Sequence, residues 1–349
     1  MLFYYVKSKK AAAAAATMMA DGKKAMVIYA GDVMTIYSAD GQPVETRTEK
    51  RHADAVEVWP GMTEKESKNA HRVAAMRDTL RTKEEAADDL LKAGDAMTAA
   101  ERAALLKLVN VAFHTSGKIE GVNSIDSTAA CEFCTMMRAA AVDNILMICG
   151  ACYAAADAYK EASWRTHKLN AHILSSVLFS ADELKALNVS ATECRFNEDG
   201  DTVNAVMAQN YLRIAATRPG VFFGYWYKNV PAVEAGLHAE GIHTRADLPE
   251  NVRFIHSSPI IGFEAAATWF DDAIFTVYPD AATTAAAIAA GAWACNGRKC
   301  MACKYNCYHM PRTDKPLHIA EYLRTGAATR SRILQAYYIR KAAQAGRAC

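Results

Sequence analysis

The sequence predicts an α/β fold in which parallel βα repeats form a partial TIM-like barrel or an open sheet, with an α-rich N-terminal region and a C-terminal helix. A pattern of strand, polar turn and helix recurs four times between residues 192 and 292, which indicates a parallel sheet with helical crossovers. Strands such as VFFGYW and AIFTVY are apolar throughout, as is typical of a sheet covered on both faces. Because four repeats are fewer than a closed barrel needs, the prediction stops at a partial barrel or an open sheet.

Composition and charge are those of an ordinary globular protein. The chain has 349 residues, of which 52% are apolar and 22% are charged, enough for one large domain or two. Its net charge of +2 argues against a strongly electrostatic nucleic-acid binder. It has no apolar run of about 18 residues, so neither a membrane span nor a membrane partner is predicted.

The composition divides the chain into three predicted regions. Residues 1–112 form an α-rich appendage with a short β-hairpin, residues 113–310 a cysteine-rich βα metal-binding domain, and residues 311–349 a basic helical tail. Every cysteine lies in the second or third region, which is why the first region is predicted to be a packing appendage without a site of its own.

Two local patterns predict the elements of the N-terminal region. Residues 25–37 alternate as two short strands around Gly31 and Asp32. Residues 63–112 are charged and alanine-rich, and predict two or three amphipathic helices. One of these helices begins at Thr98, which forms a capping box with Glu101.

The elements of the βα region follow in chain order. A long helix is predicted over residues 153–177. Strands are then predicted at residues 192–196, 221–226, 252–255 and 273–278, and helices at residues 203–216, 231–239 and 281–292. Pro231 suits the first turn of its helix. A further short helix is expected between residues 259 and 273.

Polar residues follow these strands, at the edge where parallel βα folds place their active groups. The strand-end residues are Asn197, Glu198, Asp199, Asp201, Lys228, His256, Ser257 and Ser258. Those predicted to line a catalytic mouth are Glu198, Asp199, Asp201, Lys228 and Ser257. The alternative for Asp201 and Asp280 is helix capping, since both precede helices. Glu198 and Lys228 are the stronger functional candidates because neither type is a preferred N-cap.

Eight of the ten cysteines fall into two groups of four. The first group is Cys131, Cys134, Cys149 and Cys152, and the second group is Cys295, Cys300, Cys303 and Cys307. Two thiolates separated by two residues can converge on one metal centre, so both groups are predicted to bind metal rather than form disulfides. Cys194, within a predicted strand, is expected to be a buried thiol.

Spacing leaves the metal open between zinc and an iron–sulfur cluster. The two C-x2-C pairs of the first group lie close to zinc-ribbon spacing. The run from Cys300 to Cys307 is similar to part of the ferredoxin pattern, with Cys295 as the remaining ligand. Aromatic neighbours such as Trp293 and Tyr308 are either a shield for a cluster or ordinary packing.

Several segments in order resemble the phage and mobile-element family known as gene product 88. They are GKIEGVNSI from Gly117, FC-x2-M from Phe133, ICGACYA from Ile148, RFNEDGD from Arg195, FFGYWYK from Phe222, and CNGRKCMACKYNCY from Cys295. This family is distantly similar to radical S-adenosylmethionine barrels. The likeness covers about residues 113–310 and leaves out the first region and the tail.

The resemblance implies a 4Fe–4S cluster and S-adenosylmethionine as cofactors. It implies Cys134, Cys149 and Cys152 as core ligands, with Cys131 less certain, the second group as ligands of an auxiliary cluster, and Gly200 as a cofactor-binding residue. The usual C-x3-C-x2-C pattern of radical enzymes is absent. A phage origin implies the host cytoplasm, which also keeps thiols reduced.

Two functions follow. The first is an iron–sulfur enzyme, of the radical S-adenosylmethionine type, acting on an unidentified substrate. The second is a zinc- or cluster-stabilised module that binds a nucleic acid or a protein without catalysis. The basic tail, with Tyr337, Tyr338 and Arg340, favours the second, although the same pattern predicts a surface helix docked through its apolar face.

Overall fold

The computed structural model describes residues 4–6, 26–30, 33–37, 43–48, 56–58, 79–127, 136–137, 144–151, 161–295, 299–323 and 326–345. The chain divides into two compact units, Met1–Ala86 and Ala87–Cys349. The region boundaries predicted at 112/113 and 310/311 remain predictions.

The first unit contains two small antiparallel sheets. Strands β2 (Met26–Ala30), β3 (Val33–Tyr37) and β4 (Pro43–Thr48) form one, and β1 (Tyr4–Val6) pairs with β5 (Val56–Val58) in the other. The two strands predicted around Gly31 and Asp32 are confirmed. The other three strands were not predicted, because in sequences such as PVETRT the alternation of β-branched and polar residues is too short to stand out.

The second unit is built on one eight-stranded sheet. Its strands are β6 (Ala112–Phe113), β7 (Asn123–Ile125), β8 (Glu193–Phe196), β9 (Phe222–Tyr227), β10 (Val252–Ser257), β11 (Ala273–Tyr278), β12 (Trp293–Ala294) and β13 (Leu317–Tyr322). The strand order is β12-β13-β11-β10-β9-β8-β7-β6. All neighbours are parallel except β6 and β7. The four predicted strands of the repeats are confirmed as β8 to β11.

The sheet is open rather than closed. Strands β6 and β12 end the order, and no ladder joins them among the described residues. The open-sheet alternative therefore describes the molecule, and the TIM-like barrel is not confirmed. Neighbouring strands still follow chain order from β6 to β11, which is why the local repeat alone did not distinguish the two architectures.

Helices connect and flank these strands. They are α1 (Ala99–Leu106), α2 (Glu161–Ser176), α3 (Ala181–Leu184), α4 (Ala205–Ala216), α5 (Val230–Ala239), α6 (Ala281–Ala289) and α7 (Ala327–Ala345), and residues 79–91 are also helical. The Thr98–Glu101 capping box opens α1 as predicted. Pro231 lies in the first turn of α5, and Asp280 caps α6.

Of two further helix predictions, one extends beyond the described residues and the other is wrong. The helix predicted over residues 153–177 is confirmed from residue 161, and residues 152–160 lie outside the described part. The short helix expected between 259 and 273 is absent from this fully described segment. Gly262 breaks the helical backbone within it, because its φ of +80° lies outside the helical region.

Successive side chains along each strand point to opposite faces of the sheet, and the two faces have different surroundings. On β9, Phe223, Tyr225 and Tyr227 are buried in the main core together with side chains of α1, α2, α4 and α5. The intervening Phe222 and Trp226 pack instead against the segment that carries the second cysteine group. At β9 the helices therefore cover one face and the cysteine segment covers the other, whereas Val277 of β11 packs against the cluster that contains Ile333 and Tyr337 of α7.

The tail helix α7 docks through its apolar side. Ile333 and Tyr337 are buried in a cluster with Leu146, Ile261 and Leu323. This confirms the predicted docked surface helix. None of the helices in the described ranges has the length and apolarity required to cross a membrane.

An ion pair links the N-terminal end of α3 to α1. Arg102 donates to Glu183 at 2.5 and 3.0 Å and to the Leu178 carbonyl at 2.7 Å. The hydrogen bond from Arg102 lowers the pKa of Glu183 from 4.5 to about 2. Glu183 also accepts from the Ser180 backbone in a capping box, so the same carboxylate serves a helix start and a contact between helices.

Replacing Glu183 with glutamine removes the charge but keeps an acceptor for Ser180. A carboxyl whose pKa is lowered on folding stabilises the fold above its ordinary value of 4.5, and this contribution is lost as the pH falls toward about 2. We expect Glu183→Gln to lower the free energy of unfolding at pH 7 by about 0.5–1 kcal/mol, with a smaller difference at lower pH. Urea denaturation measures both. Glu101→Gln is the control, since Glu101 has the same capping position on Thr98; equal losses would attribute the effect to capping alone.

Candidate functional site

The second cysteine group lies on a segment held against the sheet at several points. The Cys295 backbone N–H donates to the Ala320 carbonyl of β13 at 2.8 Å, and the Cys300 N–H donates to the Lys118 carbonyl at 2.7 Å. Further along, His309 lies 2.9 Å from the Glu193 carboxylate. These contacts fix the cysteine segment, whose described residues include the short 3-10 turn Cys300–Ala302.

The four thiols of this group are half-buried and free of disulfides. Burial, together with the charges of Cys295, Cys300 and Cys303, raises the pKa of Cys307 to about 12. Burial also raises the pKa of Cys300, whereas the positive charges of Arg195 and Lys118 oppose that rise. The thiols therefore lie within one another's electrostatic field, beside two cations.

Both cations are positioned by other contacts. The Lys118 Nζ lies 3.2 Å from both Glu321 carboxylate oxygens. Burial works to lower the pKa of Lys118, but the charges of Glu321 and Cys295 outweigh it, so the pKa is raised. The Arg195 guanidinium stacks 4.0 Å from the centre of the Trp226 ring.

The absence of a side chain at Gly224 lets the Trp226 and Tyr308 rings pack directly over β9. A Cβ at Gly224 would lie 2.4 Å from the Trp226 ring and 3.0 Å from the Tyr308 ring. Tyr308 is fully buried there. The cysteine segment thus approaches the sheet backbone directly at the centre of β9.

The first cysteine group is described at one position only. Cys149 is half-buried in a 3-10 turn, Ile148–Ala151, whose first backbone N–H donates to the Pro259 carbonyl at 2.8 Å. Cys131, Cys134 and Cys152 lie outside the described residues. Ligation by this group remains a prediction.

Histidines and carboxylates gather where β7 and β8 end. Asp126 accepts from the backbone N–H groups of Glu198 at 2.8 Å and Asp199 at 3.3 Å. The His114 Nε2 lies 3.3 Å from Glu198 Oε2. His167 lies between the other two carboxylates, 3.9 Å from Asp126 Oδ2 and 3.7 Å from Asp199 Oδ2. Two of the predicted catalytic residues, Glu198 and Asp199, are therefore close together.

Burial shapes the electrostatics of this cluster. It raises the pKa of Glu198 to about 7, with the charges of Asp126 and Asp199 adding to the rise and that of Arg195 opposing it. Burial likewise lowers the pKa of His114. Ligand atoms of His114, Asp126 and Glu198 lie within 4.8 Å of one another, and this is the only such set of three among the described histidine, cysteine, aspartate and glutamate residues.

Asp201 holds loops together rather than facing a mouth. It is fully buried, and its carboxylate accepts from the backbone N–H groups of Lys228 at 2.9 Å, Asn229 at 3.3 Å and Thr202 at 2.8 Å. It does not cap α4, because Asn204 does. Asp201 therefore connects the loop after β8 to the loop after β9, which is also how the Lys228 backbone is positioned.

The remaining predicted residues lie in different surroundings. Gly200 has a φ of +90°, and a Cβ there would lie 2.2 Å from the Ser127 carbonyl oxygen, so the glycine permits a close backbone approach. Ser257 is buried near the end of β10, two strands away from β8 in the sheet. His256, on the same strand, stacks on the Tyr227 ring.

Sequence reasoning missed His114, Asp126 and His167 as site residues. Asp126 had a usable signal, since it follows the short strand NSI as Glu198 follows ECRF. The two histidines had none, because they match no ligand motif and meet the carboxylates only in the folded chain.

No protein-family model, curated protein or solved structure matches this chain. The resemblance to the gene product 88 family therefore stays a prediction.

The close approach of the Ser127 backbone to Gly200 can be tested by adding a methyl group at Gly200. We expect Gly200→Ala to destabilise the protein by about 1–3 kcal/mol, because the new methyl group meets the Ser127 backbone at 2.2 Å. Gly241→Ala is the matched control, since Gly241 also has a positive φ, +76°, but has nothing within 4 Å of its Cβ position. Chemical denaturation of both variants separates the clash from the backbone strain; equal losses would contradict the packing explanation.

Proposed function

We propose that this protein is an iron–sulfur protein in which Cys295, Cys300, Cys303 and Cys307 bind a 4Fe–4S cluster. The observation that carries the proposal is the set of four half-buried, disulfide-free thiols on the face of β9 opposite the main helical core. The thiols lie beside two cations, and the charge of one cysteine affects the pKa of another. Thiolates are the form that binds metal; burial raises the pKa of Cys300, and the adjacent positive charges of Arg195 and Lys118 oppose that rise.

The arrangement of the thiols does not match a single tetrahedral zinc site. Four thiolates around one zinc would place sulfurs about 3.8 Å apart, because each Zn–S bond is about 2.3 Å long. No three of these thiol sulfurs lie within 4.8 Å of one another. On a 4Fe–4S cluster each thiolate binds a different iron, which requires a wider arrangement of sulfurs.

The surroundings also suit a cluster. Trp293 stacks on Tyr305 with ring centres 4.9 Å apart, and Tyr308 is fully buried beside Trp226. Such an apolar wall limits water near the sulfurs, which together with hydrogen bonds to them sets a cluster's potential. A bound cluster would supply one-electron chemistry to this face of the sheet.

The finer proposal is an enzyme of the radical S-adenosylmethionine type. It rests on the resemblance, with Cys134, Cys149 and Cys152 holding the working cluster and the second group holding an auxiliary one. Glu198, Asp199 and Lys228 at the carboxyl edge would contribute polar groups near a substrate. Titration of the anaerobic protein with S-adenosylmethionine, followed by assay for reductive cleavage, tests this finer proposal separately from cluster binding.

We expect protein purified without oxygen to be brown, with iron and sulfide in equal amounts and an absorption band near about 400 nm. The double variant Cys300→Ser/Cys303→Ser should lose about four irons per chain, because it removes the central ligand pair. Iron, sulfide and zinc analysis with visible spectroscopy measures this.

Cys194→Ala is the control for general damage to the fold. Cys194 is fully buried in the main core, on the helix-covered face, so its loss should leave the iron content unchanged. Iron retained in full by the double variant, or colourless protein containing zinc, would contradict the proposal and favour the metal-stabilised binding module.

A further inference from the structure

We propose that His114, Asp126 and Glu198 form a separate site for one divalent first-row metal ion with nitrogen and oxygen ligands. The three side chains come from three places in the chain: after β6, after β7 and after β8. One ligand atom of each lies within 4.8 Å of the other two. Donors that bind one such ion at about 2.0–2.2 Å must converge to this order of separation.

Hydrogen bonds of the surrounding strands and loops fix the positions of the three donor residues. The His114 backbone N–H donates to the Val122 carbonyl at 3.1 Å and its carbonyl accepts from Gly121 at 2.8 Å, which fixes it on the β6–β7 hairpin. Asp126 is buried, and its Oδ1 takes the backbone N–H of Glu198. The acceptor that orients the Glu198 backbone is therefore itself a proposed ligand, so two of the three donors are positioned by one contact.

Outer contacts further orient the donors. The Ser124 hydroxyl is fully buried, donates to Asp126 Oδ2 at 2.6 Å and lies 2.8 Å from His114 Nε2. An ion bound through Nε2 would replace the contact between His114 and Ser124, because that nitrogen has one lone pair. His167 lies on the other side of Asp126 and reaches Asp199. Ligand carboxylates and imidazoles in metal sites are commonly held in this way by further polar partners. Asp126 Oδ2 accepts one hydrogen bond from Ser124, and a carboxylate oxygen has a second lone pair for an ion.

The charge of the cluster favours a cation. Asp126 and Glu198 both contribute carboxylate oxygens to the set of three donors, and the charge of Asp199 also acts on Glu198. Carboxylate oxygens suit divalent cations. A divalent ion supplies two positive charges at the point where the oxygens converge.

The donor set also indicates the class of ion. One imidazole and two carboxylates suit manganese, ferrous iron or zinc, whereas thiolates select zinc, copper(I) or iron–sulfur clusters. Mn²⁺ binds thiolates poorly and is detected directly by electron paramagnetic resonance. It is therefore the probe that distinguishes this site from the cysteine groups.

Titration of the full-length protein with Mn²⁺, followed by the resonance of the free ion, tests the site. We expect one Mn²⁺ to bind per chain, and Glu198→Gln, which preserves side-chain volume, to weaken binding by about tenfold or more. His114→Ala should do the same. Circular dichroism and denaturation check that each variant is folded. If His114→Ala does not fold, Glu198→Gln alone tests the site.

His309→Ala is the matched control. It removes another histidine paired with a glutamate, 2.9 Å from Glu193, but one outside the three-donor set. Its Mn²⁺ affinity should equal that of the unmodified protein. Cys300→Ser/Cys303→Ser should also leave Mn²⁺ binding unchanged, which separates this inference from the iron–sulfur proposal. Absence of Mn²⁺ binding at about millimolar concentration, or equal affinity in Glu198→Gln, would overturn the site.

Discussion

The fold of the second unit depends on one constraint: both faces of its largely parallel sheet must be buried. The main helical layer covers only one of those faces at β9. The alternation along β9 sends Phe223, Tyr225 and Tyr227 into the helical core and leaves Phe222 and Trp226 on the opposite face. An irregular segment must cover that face, and its backbone polar groups need partners. Contacts such as Cys300 to Lys118 and Arg253 to Met310, at 2.6 Å in the latter case, supply them. The cysteines consequently reach the sheet as part of its covering layer.

The carboxyl edge of the sheet depends on buried acceptors in a similar way. Asp126, Asn197 and Asp201 are buried, and their side chains take hydrogen bonds that connect successive loops. Asp126 binds the backbone of the loop after β8, and Asp201 binds the backbone of the loop after β9. Breaking such a contact leaves a desolvated polar group without its partner, which costs more than the bond contributes in isolation. The loops after β7, β8 and β9 are thereby fixed relative to one another.

Local patterns were sufficient to predict the repeats of the sheet but not the site. Short strand-like runs that end in polar turns predicted β8 to β11, and the Thr98 capping box predicted the start of α1, because both signals lie within a few residues. Asp201 and Glu198 follow the same strand and are both acidic, yet the first is fully buried among backbone donors and the second faces His114. Only the fold separates those two roles. His114 and His167 lie 53 positions apart in the numbering, and no spacing rule joins them.

Arg195 links the two proposed centres electrostatically. Its charge acts on Glu198 at one end and on Cys300 and Cys307 at the other, while its guanidinium stays stacked on Trp226. Lys118 acts on the same groups, since its charge also acts on Glu198 and on Cys300. Coulomb interactions are strong where water is excluded, so these two cations compensate part of the negative charge both at the carboxyl edge and at the cysteine segment.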